Sequence, residues 1–316
     1  MLFKIEDFEI IEVIGVGTFG KVELVKLKNT KKYFALKTMD ISNILKGRQI
    51  HNIYREKIIM KHFWFCPFFS RLYDSFRTDT HFYLVMEYAA GGELHSWIQK
   101  NATRSLSVAR FYAAEIVLAL ENLHKEKIVF RDLKPENILL SANGHIKIVD
   151  FGFAKHDSEN ENIMCGTPEY IAPEVLLREK HERMVDYWAL GVLIYEMLTG
   201  SPPFYSEDAI QTYKYILNCK VHIPPRMDKS ASDLILRLLE KNPKKRIYSI
   251  EEIKTHPFFK TINWEKMSRL EVKPPIEINL AHPEDTCYFQ KYSISDINHS
   301  RIKKNIKKFK KFRFLK

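Results

Sequence analysis

Apolar residues change rhythm once along this chain. As far as about Met86 they come in short runs suited to strands. Phe8-Glu-Ile-Ile-Glu-Val-Ile14 reads as one strand, Lys21-Val-Glu-Leu-Val-Lys-Leu27 alternates charged and branched apolar residues, and Phe34-Ala-Leu-Lys37 lies in a third. Ile50 to Lys61, which carries Glu56, interrupts them with apolar residues at helical spacing. After a short connection at Glu87 to Gly92 the pattern is mostly helical. This order predicts an α+β protein of two lobes: an antiparallel-sheet small lobe with one main helix, then a mostly helical large lobe. No internal repeat or low-complexity linker breaks the pattern.

Composition adds size and compartment. At 316 residues, 45% hydrophobic and 28% charged, the chain can bury a large core. Cys66, Cys165, Cys219 and Cys287 are far apart and form no metal or disulfide spacing, which predicts reduced thiols in the cytosol. No stretch resembles a signal peptide or a spanning helix, and Met1-Leu2 lacks the glycine needed for myristoylation.

The formal charge of +11 is concentrated at one end. Residues 297–316 hold nine of the 50 Lys and Arg and no acid, leaving 41 basic against 39 acidic residues elsewhere. Ile302, Ile306, Phe309 and Phe312 recur at helical spacing, so 301–316 reads as a basic amphipathic helix. Such a segment meets anionic lipid, nucleic acid or an acidic partner, or else is solvated or docks on its own protein.

The polar motifs point to phosphoryl transfer. Gly15-Val-Gly-Thr-Phe-Gly20-Lys-Val22 alone is ambiguous, because a dinucleotide fingerprint shares the glycines. That fingerprint needs a helix next, whereas a strand pattern follows here, so a hairpin covering phosphates is the better reading. Val129-Phe-Arg-Asp-Leu-Lys-Pro-Glu-Asn137 and Val149-Asp-Phe-Gly152 then supply what the reaction needs. Asp132 would orient or accept the hydroxyl proton, and Lys134 would neutralise charge on the transferred group. Asn137 and Asp150 would ligate magnesium through hard oxygens. Arg131 would pair with an anionic group in a neighbouring loop. Lys37 and Glu56, ordered between the glycines and this loop, would form the ion pair that orients the α- and β-phosphates.

On these motifs the chain resembles eukaryotic protein kinases of the AGC group, and among them the catalytic subunits of cAMP-dependent protein kinase, from about Phe8 to Phe312. The group-specific runs are Phe111-Tyr-Ala-Ala-Glu-Ile-Val117, Asp150-Phe-Gly-Phe-Ala-Lys155, Cys165-Gly-Thr-Pro-Glu-Tyr-Ile-Ala-Pro-Glu174 and Asp186-Tyr-Trp-Ala-Leu-Gly-Val-Leu-Ile-Tyr-Glu196. The resemblance implies a bilobal kinase domain at 8–262 (small lobe 8–86, hinge 87–92, large lobe 93–262) and a C-terminal tail at 263–316. It implies transfer from ATP with two magnesium ions to Ser/Thr hydroxyls of basic protein substrates, by a cytoplasmic enzyme with nuclear access. Thr167 would help Asp132 and Lys134 close the site, and Glu174 would pair with Arg246. Gly15, Val16, Gly17, Thr18, Phe19 and Gly20 would cover the nucleotide. Val22, Ala35, Met86 and the backbone of Glu87 and Ala89 would line its pocket. Glu93 lies at its edge, and Val149 would affect the polarity of the adenine pocket.

The tail and the departures add regulation. Phe289, in Asp285-Thr-Cys-Tyr-Phe-Gln-Lys-Tyr292, matches the tail aromatic that contacts nucleotide. Phe309-Lys-Lys-Phe312 matches the hydrophobic motif that docks on the small lobe, and Ser300 the turn phosphosite. Burying two phenylalanines contributes several kcal/mol, which favours self-docking of the stripe. Four residues follow Phe312, unlike the family's terminal carboxylate. Ile163 stands at the activating phosphothreonine and Asn52 at the histidine that contacts it. Asp157, Glu159 or Glu161 would therefore substitute by pairing with Arg131, with Ser158 as a rival phosphosite. The chain begins almost at the small lobe, without the family's long N-terminal helix, and carries no regulatory domain of its own.

Substrate choice follows from carboxylates. Glu93 and Glu136 match the acids that bind arginines three and two residues before the phosphoacceptor. Lys214 stands where the family has a second glutamate for the nearer arginine, and Gln99 replaces its brace, which predicts arginine dominant at minus three. Met164, Pro168 and Ile171 would form an apolar pocket for the following residue. Asn162 replaces a tryptophan anchor, weakening a cyclic-nucleotide-binding regulatory subunit as a partner. A kinase-fold scaffold would lack Lys37, Asp132, Asn137 or Asp150, and all four are in place. A basic-tail binding protein is compatible with catalysis.

Overall fold

The computed structural model describes residues 3–17, 20–47, 50–157, 166–179 and 182–292. Five strands open the fold: β1 (Phe8–Gly17), β2 (Gly20–Leu27), β3 (Tyr33–Asp40), β4 (Leu72–Arg77) and β5 (His81–Glu87). Two helices separate β3 from β4: α1 (Ile41–Lys46), capped by the Asp40 carboxylate, and α2 (Ile50–His62). The sheet runs β1-β2-β3-β5-β4, antiparallel throughout.

Both sheet faces are covered, and the alternation in β2 shows why. Leu24 packs with Ala35, Leu84 and Met86 in the main core, while its neighbour Val25 packs on the other face with Phe8, Phe34, Leu36 and Val85. Phe3 closes that outer cluster edge-on to Phe8, its amide bonded to Asp74 at 2.9 Å. β1 also extends past the expected Ile14 to Gly17, which pairs with Gly20.

The large lobe follows α3 (Leu94–Gln99) and α4 (Leu106–Lys125). Short pairs β6 (Ile128–Val129) with β9 (Lys155–His156), and β7 (Ile138–Leu140) with β8 (Ile146–Ile148), hold the polar loops between them. Then come α5 (Pro173–Leu176), α6 (Met184–Thr199), α7 (Ala209–Asn218), α8 (Lys229–Leu238), α9 (Ile250–Thr255) and α10 (Trp264–Ser268). α6 is apolar nearly all round and buried from Val185 to Met197, so it forms the axis of the lobe. Gly191 lets α8 approach it: an added Cβ would stand 2.8 Å from Leu238 Cβ.

After α10 the chain returns across the large lobe, with Ile276 over Gly144 and Tyr288 against Gly92. Cys66, Cys219 and Cys287 are free thiols, while Cys165 lies outside the described residues. Among the described residues no helix is long and apolar enough to cross a membrane.

Candidate active site

Sheet register assembles the small-lobe half of the site. Gly15 pairs with Val22, Val22 with Lys37, and Lys37 with Leu84, a single row across four strands. The next row on that face carries Glu12, Leu24, Ala35, Met86 and Leu72. The three glycines differ in what requires them. A Cβ on Gly20 would stand 1.8 Å from the Thr38 carbonyl oxygen, so strand packing alone demands glycine there. A Cβ on Gly15 or Gly17 would meet nothing nearer than 3.6 Å and 3.9 Å respectively. Packing among the described residues therefore does not explain these two glycines, whose backbone is left open to the approach of a ligand. Thr18 and Phe19 lie outside the described residues.

Lys37 projects from β3 to the carboxylate of Glu56 on α2, with Nζ–Oε distances of 2.8 and 3.0 Å, and stands 3.8 Å from Asp150 Oδ1. Burial works against the ammonium, but Asp150 and Glu56 outweigh it and hold the Lys37 pKa above the ordinary lysine value. Asp150 is held below the usual aspartate range by Lys37, against burial and with help from the Gly152 amide and Lys134. It is thus a carboxylate ready for a cation. Its backbone is left-handed (φ 62°), and Gly152 N donates to its Oδ1 at 3.2 Å.

The large-lobe half is a network of side chains. Asn137 donates its amide N–H groups to Asp132 Oδ2 at 2.7 Å and to the Asp132 carbonyl at 2.9 Å, leaving its side-chain oxygen as the remaining acceptor. Lys134 Nζ lies 3.3 Å from Asp132 Oδ2 and donates to Thr167 Oγ1 at 3.0 Å. Burial raises the pKa of Asp132, opposed by Lys134 and Asn137, as suits a group that accepts a proton. The fit to a magnesium-bound nucleotide is therefore chemical: two hard oxygen ligands, Asn137 and Asp150, flanked by Lys37 and Lys134.

The aromatic rings of Phe69, Phe151 and Phe130 stack edge to face beneath these groups, at 5.4 and 5.5 Å. At the hinge Glu87 ends β5, accepts from Lys147 at 3.0 Å, and leads to the buried Ala89. Tyr88 stacks on Phe289, with ring centroids 5.8 Å apart.

The sequence model of the protein kinase domain matches residues 8–259. The human cAMP-dependent protein kinase catalytic subunit PRKX is 41% identical over 299 residues, covering 93% of this chain and 83% of the relative. Cyclic-AMP-dependent protein kinase type 3 of Saccharomyces cerevisiae is 39% identical, covering 94% and 76%. A probable cAMP-dependent protein kinase catalytic subunit of Encephalitozoon cuniculi is 46% identical, covering 87% and 86%. The chain belongs to the protein kinase family. It is a serine/threonine protein kinase resembling the cAMP-dependent catalytic subunits, in a family that uses ATP and magnesium.

Glu174 and Arg246 of this kinase form the expected ion pair, bidentate at 2.8 and 3.0 Å and buried. Arg131 Nε donates to the Phe153 carbonyl at 2.7 Å, while Asp157 N donates to the Lys127 carbonyl at 2.9 Å and Asp157 Oδ1 is buried without a hydrogen bond. Of the three acids expected to pair with Arg131, two fall in the segment 158–165. Glu159, Glu161, Ser158, Asn162, Ile163, Met164, Ser300 and the tail from 301 to 316, with Phe309 and Phe312, lie outside the described residues. A shallow small-lobe groove lined by Ile50, Ile53, Phe82 and Leu84 carries Lys57, whose pKa burial and Lys61 lower to about 8 against Asp74.

Two functional residues carried no role in the sequence reading. Asp186 accepts hydrogen bonds from the amides of Phe130 and Arg131, so it supports the catalytic loop through backbone rather than side chains. Glu196 accepts a hydrogen bond from the Tyr170 hydroxyl. Burial, against that bond, together with the nearby charges of Glu136 and Glu169, pushes it up to about 7. It, not the exposed Lys214 of α7, is the second carboxylate beside Glu136. Its available signal was a lone acid in the apolar run Ala189 to Met197.

Proposed function

We propose that this kinase phosphorylates serine or threonine in substrates carrying arginine upstream of the acceptor, with a kinase domain at 8–262 and a tail at 263–316. The observation that carries the reading is the complete set of Lys37–Glu56 with Asp150 on one side and Asp132, Asn137, Lys134 and Thr167 on the other, two bonded groups close enough that the Lys134 charge lowers the Asp150 pKa. Asn137 and Asp150 would hold two magnesium ions, and these supply charge neutralisation on the phosphates. Asp132 orients the acceptor hydroxyl and takes its proton. Lys134 and Thr167 close the site around it, and the glycine hairpin excludes water.

Three carboxylates support the choice of substrate. Burial and Glu136 raise the Glu93 pKa, against Lys134, so these acids share a cation-seeking surface with Glu196. Arginine at minus three would meet Glu93, and arginine at minus two would meet Glu136 with Glu196. Recognition at minus two is therefore stronger than Lys214 suggested. Ile171, buried beside the catalytic loop, supports an apolar pocket for the following residue together with Pro168.

The relatives' names support a cAMP-dependent type. The resemblance to that group extends the proposal to a cyclic-nucleotide-binding regulatory subunit as partner, weakened by Asn162, and to a place in the cytoplasm with access to the nucleus. The apolar small-lobe groove supports docking of Phe309 and Phe312. Their lysines would then face outward to anionic lipid, nucleic acid or an acidic partner.

The test is magnesium-dependent transfer of radiolabelled phosphate from ATP to an arginine-rich serine peptide, with Asp150→Asn as control. Transfer lost in the control establishes the activity. Silence from the wild type turns the reading to a scaffold. A peptide array with a proline-directed or acidic preference would overturn the substrate class.

A further inference from the structure

The tail segment 284–291 crosses the hinge and is fastened to both lobes. On the large lobe, Tyr288 lies against Trp97, with centroids 5.1 Å apart, and Lys100 Nζ stands over both rings at 5.7 and 5.5 Å. The Tyr288 carbonyl comes so close to Gly92 (φ 69°) that a Cβ there would stand 2.4 Å away. On the hinge, the Tyr88 hydroxyl donates to the Asp285 carbonyl at 2.6 Å. On the small lobe, Lys291 Nζ donates to both Glu12 oxygens at 2.6 and 2.8 Å and to Thr286 Oγ1 at 2.9 Å, while Thr286 donates to Glu12.

We propose that the Glu12–Thr286–Lys291 contact is a latch that sets nucleotide affinity by tying the glycine hairpin to the tail. This rests on the kinase reading of the site. Glu12 lies in β1, three residues before Gly15, in the sheet row that continues through Leu24 and Ala35 to Met86. A force on Glu12 therefore acts on the strand that covers the phosphates and on the wall of the base pocket. The other end of the latch is two residues from Phe289, which packs on the hinge ring of Tyr88. The three side chains satisfy one another: a carboxylate takes both an ammonium and a hydroxyl, and the hydroxyl in turn accepts from the ammonium. Opening the latch frees β1 and the segment that carries Phe289 together. Glu12, Thr286 and Lys291 are thus positioning residues, with no direct part in the chemistry.

Charge reversal tests this in the full-length protein. Glu12→Lys and Lys291→Glu are each made alone and together, and the affinity for a fluorescent, non-hydrolysable ATP analogue with magnesium is measured. Each single reversal is expected to weaken affinity about three- to tenfold, and the double reversal to restore it to within about twofold. KM for peptide stays within about twofold in all three, a split that general loss of structure would not produce. Lys291 has a side chain 65% exposed, so its replacement does not threaten the core, and Lys291→Met supplies a milder variant. Analogue affinity that is unmoved by the singles, or a double reversal as weak as either single, overturns the latch. Because the analogue reports binding without transfer, this result stands apart from failure of the wild type to phosphorylate any peptide, which would refute the kinase reading.

Discussion

Asp186 and Arg131 are joined by a hydrogen bond of 2.9 Å from the Arg131 amide to the Asp186 carboxylate, although 55 positions separate them. Arg131 adopts a left-handed backbone (φ 65°), and the bond holds that unfavourable conformation one residue before Asp132. The second oxygen of Asp186 takes the Phe130 amide at 2.9 Å and His124 Nε2 at 2.8 Å. Removing the carboxylate releases the loop that aims the catalytic aspartate. Asp186→Ala is expected to lower kcat by about 100-fold while leaving nucleotide affinity nearly unchanged. Asp186→Asn, which keeps one acceptor oxygen, should fall between. Steady-state kinetics beside an equilibrium nucleotide titration checks this, and a kcat within twofold of wild type would remove Asp186 from that role.

The glycines of the hairpin should separate folding from function. Gly20→Ala drives a methyl into the Thr38 carbonyl, so β2 must leave β3 and the small lobe loses stability. Gly15→Ala and Gly17→Ala meet no protein atom closer than 3.6 and 3.9 Å, so their melting temperatures should stay near wild type while KM for ATP rises. Thermal melts and ATP saturation curves on the three variants decide it. A Gly15→Ala protein with normal KM for ATP would mean that no phosphate approaches that backbone.

Legibility differed sharply between kinds of contact. Lys37, Glu56, Asp132, Asn137 and Asp150 were readable because phosphoryl transfer demands particular side-chain chemistry in a particular order, and the structure brings all five together. The alternation in Lys21 to Leu27 likewise announced β2 as a strand, but not that both faces of the sheet are covered. Asp186 was opaque because its hold on the catalytic loop runs through backbone amides, which every residue offers. Glu196 was opaque because its effect depends on Tyr170, Glu136 and Glu169, none of them near it in sequence. Glu12 and Thr286 meet across 274 positions, a distance over which a single acid and a single hydroxyl leave no pattern.

The Glu174–Arg246 pair bears on stability rather than catalysis. Arg246 is 1% exposed, also donates to the Met184 and Glu240 carbonyls, and lies 5.2 Å from the Trp188 ring. Replacing Arg246 by Ala leaves a buried carboxylate and two carbonyls without their donor, and is expected to cost about 3–5 kcal/mol. Glu174→Met with Arg246→Met together should cost less than the two single changes combined, because neither charge is then stranded. Urea unfolding of the single and double variants measures the difference. Strict additivity would show that the pair does not act as a unit.

Glu196 predicts a pH dependence whose sign differs for binding and for stability. Its pKa near 7 lies above the ordinary glutamate value of 4.5, raised by burial and by Glu136 and Glu169 against the Tyr170 hydrogen bond. In the free kinase it carries a proton below pH 7. A cationic side chain favours the ionised form, so binding of an arginine at minus two must displace that proton. KM for such a peptide should rise as pH falls through about 7, whereas a peptide with alanine at minus two should show little of that rise. Stability runs the other way. The folded state holds the proton between pH 4.5 and 7 while the unfolded state releases it, so the Glu196 contribution is full below pH 4.5 and is lost as pH rises through 7. Glu196→Gln, neutral at every pH, should therefore melt higher than wild type at pH 8 and close to it at pH 5. It should also lose the pH-dependent part of the minus-two preference. If Glu196→Gln keeps the wild-type pH profile for the arginine peptide, the titrating group is another of the acids at this site, and Glu93, itself raised by burial and Glu136, becomes the one to change.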